Sequence, residues 1–205
     1  MRQRPQDNRY VAPWLDRAAH LRRDEAWVAR ALSEATSYVI LTWRGRALIL
    51  ERGPAAQAVR IPAAEGWWQP LTAEPILLGR ADGSTFLAAE VALERAEDHP
   101  DIAARGRFVD LRTVGPALDD RDGALLAYAK AMTWWHATHR YCGRCGHPTI
   151  AAEAGHVRRC TSPDCATAHF PRSDPAVIVL VHDGDRVARP DLQHPGEHSP
   201  FYFDT

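Results

Sequence analysis

The sequence predicts an α+β protein in which a β-rich N-terminal domain is joined by a linker helix to a cysteine-rich ribbon and one further strand. Three observations predict this order. Two hairpin patterns lie in the first half of the chain, a helical pattern occupies residues 120–140, and all four cysteines fall between residues 142 and 165. Strands and a helix in separate blocks are typical of α+β proteins rather than of alternating α/β folds.

Composition indicates a globular protein without a strong bulk charge. The 205 residues are 45% hydrophobic and 25% charged, and the formal net charge is −1. This balance gives no general attraction to nucleic acid or to anionic membranes. The N-terminus has no apolar signal segment, and no run reaches the roughly 20 apolar residues of a membrane span. We therefore expect a cytoplasmic protein with no membrane contact, in which thiols stay reduced.

Two hairpins are predicted in the N-terminal domain. Residues 38–50 alternate β-branched, aromatic and aliphatic side chains around Gly45, which can take positive φ in a tight turn. Residues 76–91 show the same pattern around an Asp-Gly pair that ends at Gly83, a strong hairpin signal. Residues 51–75 are rich in Pro and Ala and are predicted to be a loop.

Trp67 and Trp68 form an aromatic pair within that predicted loop. Such a pair could stack on a nucleobase or a protein partner. The interpretation that we favour is structural, because large aromatic side chains supply much of the buried area in a small β-rich core.

Residues 120–140 carry the strongest helical pattern in the chain. Asp119, Asp120 or Asp122 can cap its start. His136 and His139 are either metal ligands or, as we favour, ordinary residues near a helix C-terminus, where imidazolium suits the helix dipole. The residues predicted to share one face recur at spacings of three and four: Leu125, Tyr128, Met132, Trp135 and His139.

The four cysteines have the spacing of a zinc ribbon, C-x2-C-x14-C-x4-C. Two thiolate pairs brought together by a hairpin supply the four soft ligands that tetrahedral zinc prefers. A rubredoxin-like iron site fits the x4 spacing poorly, and a redox pair would need a βαβ context that the pattern lacks. Because four protein ligands leave no open position, the zinc would be structural. The predicted ligands are Cys142, Cys145, Cys160 and Cys165; His147, His156 and His169 are surplus.

At this point the sequence resembles a known family, the NADH pyrophosphatase (NAD+ diphosphatase) branch of the Nudix hydrolases. The resemblance lies in "YCGRCGHPT", "RRC" and "HFPRSDPAVIVLV", and in the preceding "LLAYAKAMTWWHATHRYC". The C-x4-C pair departs from the C-x2-C of many bacterial members. The implied organisation is a degenerate Nudix-like domain that supports dimerisation (1–119), a linker helix (120–140), a zinc ribbon (141–172), the first strand of a catalytic Nudix domain (173–185) and an irregular tail (186–205).

The resemblance also implies an activity and a substrate contact. Family members hydrolyse NADH or NAD+ to nicotinamide mononucleotide and AMP, and remove NAD caps from RNA. An aromatic residue before the proline that leaves the ribbon contacts substrate in the family, and the matching residue is Phe170. The alternative is that Phe170 belongs to the ribbon core. NADH or NAD+ is thus the expected ligand, RNA is expected only through NAD caps, and a homodimer is the expected assembly.

The Nudix box that would perform this hydrolysis is missing from the sequence. Its glutamates hold the magnesium or manganese that activates water. The 24 residues after Val181 contain one glutamate, Glu197, and neither an Arg-Glu nor a Glu-Glu pair. Pro190, Pro195 and Pro200 are predicted to interrupt regular structure there. We therefore predict no catalytic residue, and expect a truncated, inactive member of the family.

Two other functions stay open at this stage. The chain could be a zinc-ribbon binding module for RNA or protein, although the ribbon carries a positive excess too small for a nucleic-acid footprint. It could also be a dimerising partner of a full-length subunit.

Overall fold

A computed structural model describes residues 10–172 together with 182–183, 186–189 and 202–203. The chain divides into two compact units, Met1–Pro171 and Arg172–Thr205. Residues 173–181 and 184–185 of the predicted start of a catalytic Nudix domain lie outside the described residues. Among the residues described, no helix is both long and apolar enough to cross a bilayer.

The first unit is built on a seven-stranded mixed sheet. Its main path runs β3-β2-β1-β6-β5, with β4 pairing with β1 and β7 pairing with β2. Only the β1–β6 pair is parallel; the other pairs in this sheet are antiparallel. The strands are β1 (Ser37–Trp43), β2 (Arg46–Arg52), β3 (Ala55–Ala58), β4 (Ile61–Pro62), β5 (Ile76–Ala81), β6 (Ser84–Glu90) and β7 (Arg107–Val109).

Both faces of this sheet are covered. Because successive strand side chains point to opposite faces, Ile40 joins one apolar cluster while Val39 and Leu41 join the other. The long helix α4 (Asp120–Thr138) packs on the Ile40 face. Shorter helices surround the domain: α1 (Glu25–Ala31), α2 (Pro100–Ala103) and α3 (Leu111–Val114).

Both predicted hairpins are confirmed. β1 and β2 pair through Trp43 and Arg46 across a two-residue turn. In the β5–β6 hairpin, Asp82 and Gly83 have φ values of 50° and 76°. Two consecutive positive φ values match the right-handed twist of the flanking strands, which is why Asp-Gly marks such turns.

The loop predicted for residues 51–75 is largely wrong. β2 continues to Arg52, and β3 and β4 follow within the segment. Ala58 pairs with Ile49 of β2, and Ile61 pairs with Val39 of β1. Alanine has weak intrinsic strand preference, so these strands exist because the neighbouring strands offer open hydrogen-bonding edges.

The aromatic pair in this segment is structural, as favoured. Trp68 is 1% exposed and donates its indole N–H to the Ala63 carbonyl oxygen at 3.2 Å. Trp67 is half-buried, and its ring stacks on His99. The pair therefore belongs to the domain core and its edge.

Helix α4 agrees closely with the helix predicted over residues 120–140. Asp119 is the cap, and its carboxylate accepts a hydrogen bond from the Asp122 N–H at 2.7 Å. Leu125, Met132 and Trp135 of the predicted face are buried, and Tyr128 is half-buried. His139 is exposed and thus leaves that face, because it follows the last helical residue.

The second unit contains short strands where an irregular tail is predicted. They are β11 (His182–Asp183), β12 (Arg186–Arg189) and β13 (Tyr202–Phe203), paired antiparallel in that order. The prediction of an irregular tail is wrong for β12 and β13. β12 ends before Pro190 and so needs no N–H from a proline, and Tyr-Phe is a favourable strand pair.

Candidate metal centre

The ribbon is a three-stranded sheet with the cysteines at its ends. β8 (Thr149–Ala152) and β9 (Val157–Cys160) form a hairpin, and β10 (Ala168–His169) pairs with β9. The hairpin predicted between the two cysteine pairs is therefore confirmed. It brings together Cys142 and Cys145, which precede β8, with Cys160 and Cys165, which end and follow β9.

Each cysteine pair sits in a tight backbone turn. In the first turn the Gly146 N–H donates to the Cys142 carbonyl oxygen at 2.8 Å, and Gly146 has φ of 76°. In the second turn the Ala166 N–H donates to the Ser162 carbonyl oxygen at 2.9 Å. Ala166 has φ of 45°. Both turns point the sulfur atoms towards a common centre.

The four sulfur atoms have the spacing of a tetrahedral ligand set. All four Sγ atoms lie within 4.8 Å of one another. The Cys142–Cys165 separation is 3.8 Å and the Cys145–Cys160 separation is 3.4 Å. Zinc–sulfur bonds of about 2.3 Å place the sulfurs of a regular tetrahedron about 3.8 Å apart. Disulfide sulfurs would be about 2.05 Å apart, and all four cysteines are free. The set fits one structural zinc.

Hydrogen-bond donors surround these sulfur atoms. The Ser162 N–H donates to the Cys160 Sγ at 3.4 Å, and the Thr167 hydroxyl lies 3.1 Å from the Cys165 Sγ. The His169 Nε2 lies 3.2 Å from the Cys142 Sγ. Groups that donate to a thiolate disperse its charge and fix its orientation, as outer contacts do in metal sites. His169 is thus near the centre but is surplus as a ligand.

The other histidines lie away from the sulfur cluster. His136 and His139 are absent from the ligand group found among the described residues. The interpretation of His136 as an imidazolium at the helix end does not hold, because both of its ring nitrogens are hydrogen-bonded and burial lowers its pKa. His147 is exposed and contributes its backbone carbonyl oxygen to the Cys142 N–H at 2.7 Å. His136 and His156 instead connect the ribbon to the N-terminal domain, a role that the sequence analysis missed.

The tip of the β8–β9 hairpin rests on strand β5. The Leu77 N–H donates to the Ala154 carbonyl oxygen at 3.0 Å. In return, the His156 Nε2 lies 2.6 Å from the Leu77 carbonyl oxygen. Between these bonds Gly155 has φ of 85°, and a Cβ on it would lie 2.8 Å from the Ile76 side chain. The close approach of hairpin and strand therefore requires glycine.

Helix α4 contacts the same hairpin through His136. The His136 Nε2 lies 2.7 Å from the Gly155 carbonyl oxygen. Its Nδ1 lies 2.9 Å from Nη1 of Arg158, whose Nη2 donates to the Thr149 carbonyl oxygen at 2.6 Å. An Nε2–H tautomer satisfies both contacts, with Nε2 donating and Nδ1 accepting. The neutral imidazole thus fits this position without an unpaired atom.

Burial disfavours a proton on both histidines. Burial lowers the pKa of His156 to about 4; its hydrogen bond to Leu77 opposes the shift, and Arg22 and Arg17 add to it. Burial also lowers the pKa of His136, again opposed by its hydrogen bond, here to Gly155. No local sequence pattern signals these contacts, because His156 and Leu77 are 79 residues apart in the chain.

Phe170, the predicted substrate contact, follows β10 directly. Its side chain is 62% exposed. It is therefore not part of the ribbon core, and its ring face is accessible to a ligand.

These two parts define a class of protein: a mixed β-sheet domain, covered by helices, that carries a four-thiol ribbon. Comparison with protein families agrees. The NADH pyrophosphatase-like rudimentary NUDIX domain matches residues 36–135, and the NADH pyrophosphatase zinc ribbon domain matches residues 137–170. The chain belongs to the NADH pyrophosphatase family of Nudix proteins.

Individual relatives carry related names. The chain is 36% identical over 176 residues to the NAD-capped RNA hydrolase NudC of Mycobacterium tuberculosis (strain ATCC 25618 / H37Rv), which covers 82% of this chain and 51% of the relative. It is 38% identical over 101 residues to Nudix hydrolase 19, chloroplastic, of Arabidopsis thaliana (45% and 23%). It is 39% identical over 82 residues to the NAD(P)H pyrophosphatase NUDT13, mitochondrial, of Homo sapiens (40% and 23%). The chain thus spans about half the length of the mycobacterial relative.

Proposed function

We propose that this chain contributes the N-terminal domain and zinc ribbon of an NADH pyrophosphatase. The reaction served is hydrolysis of the pyrophosphate of NADH or NAD+ to nicotinamide mononucleotide and AMP, or removal of NAD caps from RNA. The observation that carries the proposal is the four-thiol ribbon docked by Leu77, His136 and His156 on a rudimentary Nudix domain. The proposed division is a Nudix-like domain (1–119), a linker helix (120–140), a zinc ribbon (141–172), the start of a catalytic Nudix domain (173–185) and a C-terminal tail (186–205).

The proposed zinc ligands are Cys142, Cys145, Cys160 and Cys165. Their support is the sulfur spacing and the donors around it. Zinc bound there supplies folding free energy and no open position for a reacting water. The chain's own part is to hold the thiolates with backbone N–H groups and to fix the exit of β10 towards Phe170.

Phe170 is the proposed substrate contact. Its exposed ring can stack on a nicotinamide or an adenine, and it has no hydroxyl with which to add a hydrogen bond. Stacking on adenine is compatible with NADH, NAD+ and a capped RNA, because all three contain that ring.

A second function is favoured by one sequence feature. The residues after Val181 contain a single glutamate, so magnesium or manganese finds no cluster of glutamates there. The 205 residues alone would then act as a binding or dimerisation module without turnover. A homodimer and a cytoplasmic location are part of the proposal; the first rests on the family resemblance, the second on the four free thiols.

A chimaera tests the proposed function. Residues 1–172 replace the matching part of the mycobacterial NAD-capped RNA hydrolase, and release of nicotinamide mononucleotide from NAD-capped RNA is measured. We expect about one zinc per chain and retained hydrolysis. Cys160→Ser should abolish both, and Phe170→Ala should weaken hydrolysis while leaving the zinc content unchanged. A folded, zinc-loaded chimaera without activity, beside an active parent, would refute the proposal.

A further inference from the structure

A groove of about 670 Å³ lies along helix α4, on the side away from the sheet. Ala127, Lys130, Ala131 and Trp134 line it at helical spacings of three and four, so they form one stripe of the helix. The two alanines leave a shallow floor. The β1–β2 turn, the start of α3 and Tyr10 form the opposite side.

Trp134 lines this groove and is largely exposed. Its side chain is 59% exposed, whereas its neighbour Trp135 is 7% exposed and belongs to the core. A large aromatic ring in water offers stacking area at low conformational cost, and single-stranded nucleic acid bases use such platforms. A base can thus stack on the Trp134 ring without a change in the position of the side chain.

The groove is also positively charged. Among the described residues its lining includes Arg44, Arg112 and Lys130 and the carboxylate of Asp110, an excess of two positive charges. This excess is no larger than that of the ribbon, but here the cations share one cavity with an exposed aromatic ring. Lys130 contacts Asp110 at 3.3 Å. Among the residues that the structure describes, no carboxylate forms a salt bridge with the guanidinium of Arg44 or Arg112. The Arg44 guanidinium lies 5.0 Å from the Trp43 ring centroid, a contact that leaves its charge without an anionic partner among the described residues. Both guanidinium groups can therefore contact an anionic ligand.

These charges argue against a second copy of the chain as the occupant. A two-fold symmetric contact would bring the cations of one copy towards those of the other. The cavity between α4 and the ribbon is a weaker candidate for an anion, because Glu74 and Glu90 there balance Arg140 and Arg158. Of the two cavities, the groove lined by Trp134 is therefore the better site for an anion, and an anionic partner fits it better than a second copy of the chain.

We propose that this groove binds a segment of single-stranded RNA. One base stacks on Trp134, and neighbouring phosphates contact Arg44, Arg112 and Lys130. Stacking plus backbone charge recognition is the usual mode for single strands and needs no base-specific hydrogen bonds. The choice of RNA among polyanions rests on the proposed function, in which a capped RNA is a substrate.

Fluorescence anisotropy of a labelled, uncapped 12-nucleotide RNA of mixed sequence tests the groove directly. The zinc-loaded 205-residue chain is titrated at several salt concentrations. Trp134→Ala should weaken binding about tenfold. The double variant Arg44→Gln and Arg112→Gln should reduce the slope of log affinity against log salt by about 1.4, since each phosphate contact contributes about 0.7.

Two matched controls complete the design. Ile150 is 57% exposed and lies outside the groove, and Arg95 is an exposed arginine elsewhere on the domain. Ile150→Ala and Arg95→Gln should leave affinity unchanged. Unaltered RNA affinity in Trp134→Ala, no binding by the parent chain, or a dimer that only Trp134→Ala dissociates would each overturn the inference. Because the RNA is uncapped, these outcomes are independent of the hydrolysis measured with the chimaera.

Discussion

At the residue scale, Gly155 determines how closely the ribbon approaches the N-terminal domain. Its φ of +85° lies in the left-handed region, and the Ile76 side chain occupies the space of a Cβ. Gly143 in the same ribbon has no heavy atom within 4 Å of such a Cβ. A side chain at position 155 would therefore clash with Ile76, whereas a side chain at position 143 would meet no neighbouring atom.

We predict that Gly155→Ala lowers the free energy of unfolding by about 1–3 kcal/mol, through overpacking against Ile76 and the positive φ. Thermal unfolding followed by circular dichroism measures the change. Gly143→Ala is the control, with a much smaller expected effect. Equal destabilisation by both substitutions would show that the contact with β5 does not constrain the ribbon.

At the element scale, the ribbon is held to the domain by hydrogen bonds from two histidines whose burial disfavours an added proton. His156 is 7% exposed, and the tilted ring of Tyr128 and the cations Arg17 and Arg22 lie near it. A proton on His156 would add a buried charge beside these cations. Docking should therefore be sensitive to acid.

The pH dependence has a definite sign. Since the pKa of His156 falls from 6.5 to about 4 on folding, its contribution is complete above pH 6.5 and is lost as pH falls towards 4. The loss amounts to about 3 kcal/mol at most. Urea unfolding of the parent and of His156→Gln between pH 4 and 7.5 measures it. The variant should show a shallower dependence; superimposable slopes would contradict the assignment.

The same elements show what local sequence can predict. The Asp82-Gly83 turn and the cap by Asp119 depend on neighbouring residues alone, so their patterns predict them well. β3 depends on the open edge of β2, and its alanines give no signal of their own. The docking of His156 on Leu77 depends on the finished fold. The cysteine spacing predicts the metal centre because ligand number and spacing are fixed by zinc chemistry.

At the scale of the whole molecule, a scaffold and a catalyst require different residues. The sheet domain and the ribbon need apolar burial and four thiolates. Pyrophosphate hydrolysis needs clustered carboxylates that hold divalent cations, which neutralise phosphate oxygens and activate water. The 205 residues contain the apolar residues and the four cysteines of the scaffold, but no Nudix box follows Val181 within them.

We predict that the 205-residue polypeptide alone does not hydrolyse NADH at a rate near that of its relatives. Without a carboxylate cluster, magnesium or manganese gains no fixed position beside the pyrophosphate, and several kcal/mol of charge stabilisation are absent. Zinc-loaded protein is incubated with NADH and either cation, and AMP is quantified by chromatography. The chimaera with the mycobacterial hydrolase serves as the positive control. Metal-dependent AMP release that persists through repurification would contradict the prediction, since Asp174, Asp183, Asp185 and Glu197 would then have to assemble a cation site.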